Sequence, residues 1–333
     1  MHHAIVDRVT DLDRLLLAQD GVVSRAQALH AGLHPHDLRR LVRRRDLAPL
    51  LPGVYVSHTG EPSWVQRAWG AVLACASPRG VAGASLGAAL AGASAMRAAD
   101  GPGRPGADNG PIQVVVPRSR RVVAPPGIAV TRTFLLHDRV QWNLGPPRLR
   151  YDEAALDVAL GSDGDLAAVG AIARAVQGRH TTAVRMQRSL ASRKRAPRRD
   201  FLDAVLRDVA DGTCSVLEHA YVDRVERPHD LPRADRQRRA GTATGIVYRD
   251  AVIGERVIEL DGRLWHDTAE QRDKDFERDL DAAIVGLDAV RLTWGQVVGR
   301  PCSTAAKLSL LLERDGWPAA TPCGSGCVLA VAA

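Results

Sequence analysis

The sequence predicts a multidomain α/β protein. Three observations carry this expectation. Short helices followed by a hairpin occupy the first 58 residues, strands and helices mix through the middle, and near the C-terminus paired strands lead into a charged helix and another strand. A chain of 333 residues can bury two or three separate cores. Boundaries are expected to give an N-terminal part at 1–58, a small central α/β domain at 59–180, a basic linker or helix at 181–212 and a C-terminal domain at 213–333.

In the first part, Val9, Leu12, Leu15 and Leu16 recur at helical spacing, and Gly21 closes that helix. Ser24 followed by Gln27 fits a capping box, so a second helix starts there and runs to about His30. Ala31-Gly32 makes the turn, and Pro35 suits the first turn of a third helix. In that helix Leu38, Leu41 and Val42 share one side, whereas Arg39, Arg40, Arg43 and Arg44 share another. Pro52-Gly53 turns the chain before a strand at Val54-Tyr55-Val56, as a wing would. Two helices joined by a short glycine turn, the second rich in arginine, form a winged helix-turn-helix whose last helix enters the major groove. Arginine suits that position because its fork bonds guanine or phosphate in two places. The competing reading is a solvated face of an ordinary helix.

Further along, a helix carrying Trp64 and Trp69 precedes an Ala/Gly-rich helical stretch. Strands are expected at Ile112–Val116 and Ile128–Thr133, separated by the basic turn Arg118–Arg121, with a helix near Asp152–Leu160. Residues 178–200 concentrate arginine. The C-terminal part reads as a helix around Ser215–Val225, strands at Gly245–Val252 and Glu255–Leu260 about the turn Ile253-Gly254, a charged helix from about Ala269 to Val285, a strand at Ala289–Leu292 and a last helix at Thr304–Arg314.

Composition narrows the function classes. Hydrophobic residues make up 45% and charged residues 25% of the chain, ordinary for a soluble globular protein. The first ten residues hold no apolar signal core, and the low-charge stretch Ala71–Ala99 is broken by Pro78, Arg79 and several glycines. No membrane association and a cytoplasmic location are therefore expected. Forty-five Lys and Arg against 38 Asp and Glu give a net charge of +7, which favours a polyanionic partner. An arginine-rich genome would give the same total, so the distribution matters more. Five cysteines, an odd number, argue against a disulfide framework.

The segments Val22-Val23-Ser24-Arg25-Ala26-Gln27-Ala28-Leu29 and Leu50-Leu51-Pro52-Gly53-Val54-Tyr55-Val56 resemble the winged-helix domain of AbiEi-type antitoxins from toxin–antitoxin systems. Gly83-Ala84-Ser85-Leu86-Gly87-Ala88-Ala89-Leu90 looks like the start of that family's second domain. The resemblance implies double-stranded DNA as partner and a role as transcriptional repressor, with a cognate toxin as a further candidate partner.

Asp250 and Glu259 lie on consecutive predicted strands, and a hairpin brings two such carboxylates within a few ångströms. Converging carboxylates repel one another, so a hard cation is the natural neutraliser. The run Val257-Ile258-Glu259-Leu260-Asp261-Gly262-Arg263-Leu264-Trp265-His266 resembles PD-(D/E)XK nucleases, specifically very-short-patch-repair-like endonuclease domains. Glu277-Arg278-Asp279-Leu280 and Val290-Arg291-Leu292-Thr293-Trp294 extend the match. The resemblance implies a restriction-endonuclease-like α/β fold with a mixed sheet and Mg²⁺- or Mn²⁺-dependent cleavage of DNA. Asp250 and Glu259 would be metal ligands, Glu218 would assist, and His266 would act as acid/base or phosphate contact. Asp261 departs from the pattern, standing where lysine is expected, and Lys274, Arg278 or His266 are the candidate substitutes. The alternative is a non-catalytic repressor or antitoxin that keeps a vestigial nuclease fold, or docks a toxin through it.

A further candidate site lies in Cys302, Cys323 and Cys327. Their spacing could hold zinc if Cys214 or a histidine supplied a fourth ligand; otherwise they are reduced thiols.

Overall fold

The computed structural model describes residues 11–103, 110–211, 215–242, 245–261 and 288–331. The chain is a mixed α/β protein, with three sheets among the described residues, and divides into two compact units, residues 1–158 and 159–333. Val9, Cys214, His266, Lys274, Arg278, Asp279 and the helix expected at 269–285 lie outside the described residues.

In the first unit, helix α1 (residues 11–18) ends where the Gly21 amide donates to the Leu16 carbonyl at 2.7 Å. Gly21 adopts φ +81°, and a Cβ there would sit 2.5 Å from the Ser57 hydroxyl, so glycine is required twice over. Strand β1 (Val22–Ser24) leads straight into α2 (Arg25–His30) through the expected capping box. The Gln27 amide donates to the Ser24 hydroxyl and the Ser24 amide to the Gln27 side chain. Helix α3 (Pro35–Arg43) begins with proline in its first turn, while the Asp37 carboxylate accepts from the His34 amide at 3.0 Å. Leu38 is buried, and Leu41 and Val42 pack beside it on Leu12, Val23, Ala28 and Leu47. The hairpin of β2 (Ala48–Leu51) and β3 (Val54–Val56) turns at Gly53 with φ +73°, and β1 pairs antiparallel with β3.

Helix α4 (Trp64–Ala74) buries Trp69 and joins this small sheet to a five-stranded one. The larger sheet has strands β4 (Ala89–Leu90), β5 (Ile112–Pro117), β6 (Ile128–Thr133), β7 (Val140–Gln141) and β8 (Arg148–Leu149), in the order β6-β5-β4-β8-β7. The two expected strands are both present, but they pair in parallel, so the basic segment between them is a crossover rather than a hairpin turn. Arg120 in that crossover donates to the carbonyls of Cys75, Ala76 and Gly87, a structural use of one of its arginines. The Ala/Gly-rich stretch is not one helix. Left-handed backbone at Gly87 and Gly92 breaks it, so β4 separates a single 3-10 turn from α5 (Gly92–Asp100). Helix α7 (Tyr151–Leu160) follows the short α6 (Leu136–Arg139); its buried Glu153 accepts from Arg139 at 2.7 Å.

The second unit starts with helices α8 (Asp165–Gln177), α9 (Ala183–Ala191) and α10 (Arg199–Asp211). The arginine-rich residues 178–200 thus form α9, the connections around it and the start of α10. Helix α11 (Ser215–Tyr221) continues as one wide turn to Glu226 and a 3-10 turn ending at His229. It packs on a four-stranded mixed sheet made of β9 (Asp235–Thr242), β10 (Gly245–Ile253), β11 (Arg256–Asp261) and β12 (Asp288–Thr293). The order is β12-β11-β10-β9, antiparallel except for the β11/β12 pair. Strand β9 is not evident in the sequence because Asp235–Thr242 holds three arginines and a glycine and no apolar alternation. Arg256, at the start of β11, makes a two-pronged ion pair with Asp315 just beyond helix α12 (Pro301–Arg314), tying that helix to the sheet. The chain then reaches the short α13 (Val328–Val331). Among the described residues no helix is long and apolar enough to cross a membrane.

Candidate functional site

Two sites can be built from these elements, one in each unit. In the first, the residues of α3 divide cleanly. Leu38, Leu41 and Val42 anchor the helix, so the 100° step between residues places Arg39, Arg40, Arg43 and Arg44 on the opposite side, where all four are exposed. Arg40 lies 3.3 Å from Asp37 and Arg44 3.4 Å from Asp46, both pairs open to solvent. Such surface pairs contribute little, so a phosphate can replace the carboxylate at small cost. The amide of His34 and the surrounding positive charges hold the Asp37 carboxyl below the usual range, keeping that acid ionised.

Between α3 and the hairpin lies an open groove of about 620 Å³, edged by Arg39 and Arg43, the Tyr55 ring and Arg25. Arg25 was not among the four arginines singled out from the sequence. It occupies the first position of α2 and is exposed, and its amide donates to the Gly53 carbonyl at 2.8 Å. Its only sequence signal was its place directly after the cap.

In the second unit, the pairing of β10 and β11 runs Ile253–Arg256, Val252–Val257, Ala251–Ile258. The ladder ends there; Asp250 and Glu259 are the next residues of their strands, and Asp261 follows Glu259 on the same face of β11. Val257 and Ile258 are both fully buried, so each face of β11 is covered there, whereas Glu259 and Asp261 are only half-buried. The polar face therefore opens at the end of the strand. Asp250 accepts a hydrogen bond from the Leu260 amide at 2.7 Å. Burial pushes its carboxyl from the usual 3.8 up to about 6. That amide pulls it down, and the charges of Glu259, Glu218 and Asp261 push it up. Glu218, Asp250, Glu259 and Asp261 are thus near enough to interact.

The group is loose all the same. Among the described residues, the one cluster with three or more ligand-type atoms within 4.8 Å of one another is a different one, His229 with Cys302, Cys323 and Cys327. A magnesium ion commonly uses only one or two carboxylates and completes its shell with water and phosphate oxygens. The sheet also supplies a cation that sequence reading passed over. Arg291 on β12 pairs in register with Glu259, on the same face. Its signal was present, since Arg291 stands inside the segment that extends the nuclease resemblance, but only the parallel pairing places it beside the acids.

Residues 11–58 match the family model described as transcriptional regulator, AbiEi antitoxin. Among solved structures, the RV2827C protein from Mycobacterium tuberculosis is similar at 19% identity, over 62% of this chain and 82% of that one, with a TM-score of 0.35. That likeness is too loose to transfer either fold or function. No curated protein matches the chain.

Proposed function

We propose that this chain is a DNA-binding transcriptional regulator of the antitoxin kind. Its first 58 residues act as a winged helix-turn-helix, with α3 as the helix entering the major groove and the β2–β3 hairpin as the wing. The observation that carries the reading is the exposed row Arg39, Arg40, Arg43 and Arg44, opposite the face that anchors α3, within a segment matched by the AbiEi regulator model. The groove between helix and hairpin adds Arg25 to the same surface. Double-stranded DNA is the partner, and a cognate toxin is the second. The fluorescence anisotropy of a labelled duplex from the region upstream of the chain's own reading frame tests this, beside a random duplex of equal length. Replacing Arg39 and Arg43 together by alanine removes two phosphate or base contacts. The slope of log K against log salt should fall by about 2, and affinity should drop at least about tenfold. Unchanged binding would remove α3 from the interface.

A second reading rests on a specific observation, the placing of Asp250, Glu259, Asp261 and Glu218 around one end of the mixed sheet. Asp250 and Glu259 would hold Mg²⁺ or Mn²⁺, with Arg291 replacing the cation that Asp261 displaces. The ion would supply an activated water and charge stabilisation at a phosphodiester. Glu218 and Asp261 would keep the site negative enough to recruit it. Plasmid DNA incubated with the protein and either ion should be nicked, and Glu259→Ala should abolish the nicking. Intact protein without turnover in either ion would leave the regulator alone, with the acidic face a remnant.

A further inference from the structure

His229, Cys302, Cys323 and Cys327 reach one point from three separate stretches of the second unit. We propose that they bind a structural Zn²⁺ ion through one imidazole nitrogen and three thiolates, independently of the acidic face on the sheet.

The geometry matches such a site. Zinc–sulfur distances of about 2.3 Å and zinc–nitrogen distances of about 2.0 Å give a tetrahedron with edges of roughly 3.5 to 3.8 Å. The sulfurs of Cys302 and Cys323 lie 3.6 Å apart, and all four ligand atoms lie within 4.8 Å of one another. A disulfide needs sulfurs about 2.05 Å apart. The imidazole provides the independent sign. His229 is 1% exposed, and its Nδ1 lies 2.9 Å from the Val225 carbonyl, to which it donates. That bond fixes the proton on Nδ1 and leaves a lone pair on Nε2. Nε2 is buried and has no hydrogen-bond partner among the described residues, a costly arrangement unless something occupies it.

The surrounding backbone is built to hold an ion. Cys302 sits in the first turn of α12, directly after Pro301. Cys323 and Cys327 flank a Gly-Ser-Gly turn closed by the Cys327 amide donating to the Gly324 carbonyl at 3.0 Å. The Thr321 amide donates to the His229 carbonyl at 2.9 Å, bringing the tail alongside the histidine turn. Residues 317–326 have no regular secondary structure and are mostly exposed, so they bury too little apolar surface to be held by packing. The ion would fasten them to α12 and the turn after α11. Thiolates select zinc over magnesium, which keeps this site distinct from the carboxylates. Binding to the reduced protein releases three protons, one from each thiol, and changes no oxidation state.

The full chain, purified under reducing conditions without added metal and analysed for elements, tests the proposal. About one zinc per chain is expected. Cys323→Ser, at an exposed position that tolerates the change, should lower that content severalfold, and Ser325→Ala should leave it intact. Cobalt substituted for zinc should give the visible bands of a tetrahedral thiolate complex. Wild-type protein well below one equivalent even after zinc addition would overturn the proposal. So would full zinc content in Cys323→Ser, iron in place of zinc, or a native disulfide between Cys302 and Cys323.

Discussion

Asp250→Asn separates the charge of the acidic face from its shape. Asparagine keeps the oxygen that accepts the Leu260 amide and removes the carboxyl that burial and its acidic neighbours hold near 6. Because the folded value lies above the ordinary 3.8, the folded state binds the extra proton between those values. The contribution of this group is therefore complete below about pH 4 and is lost as pH rises through about 6. Moving a carboxyl that far corresponds to roughly 3 kcal/mol, and solvent screening of this partly exposed group reduces it to about 1 to 2 kcal/mol. Urea denaturation at pH 4 and pH 8, in buffer freed of Mg²⁺ and Mn²⁺, reads the effect. The variant should unfold at a higher urea concentration than wild type at pH 8, by about 0.5 to 1 M for a slope near 2 kcal/mol/M. At pH 4 the two should coincide. A variant equal to or weaker than wild type at pH 8 would show that burial and the neighbouring acids together do not penalise the Asp250 carboxylate, and the reasoning from its raised pKa would fall with that.

Three further outcomes follow from the first unit. Arg139→Ala removes the nearer guanidinium of the buried Glu153 carboxylate, leaving it Arg150 at 3.4 Å, and should cost about 3 kcal/mol, a melting shift of roughly 6 to 12 °C by calorimetry. The apolar pair Arg139→Met with Glu153→Leu should recover most of the loss, and failure to recover would mean that packing and not charge sets the cost. Ser24→Ala removes the cap of α2 and should destabilise by about 1 kcal/mol in chemical denaturation, weakening DNA binding only through folding. Gly21→Ala forces a side chain into left-handed backbone against Ser57, so a loss of about 1 to 2 kcal/mol is expected; a neutral result would refute the need for glycine.

How much was legible in the sequence depended on the range of each signal. The capping box at Ser24 and Gln27, the proline opening α3, the apolar face of Leu38, Leu41 and Val42, and the turn at Gly53 all act within a few residues, and each is found where the pattern put it. The strands at 112, 128, 245, 256 and 288 were also visible, because β-branched runs between turn residues have a period of their own. Pairing was not. Whether β5 and β6 meet in parallel, that the arginine-rich Asp235–Thr242 is a strand, and that Arg291 lies beside Glu259 depend on registers between distant segments, which no local periodicity encodes. The same holds for His229, an undistinguished histidine until the tertiary structure sets its imidazole beside three sulfurs. Local chemistry wrote the elements into the sequence, and their packing decided which side chains meet.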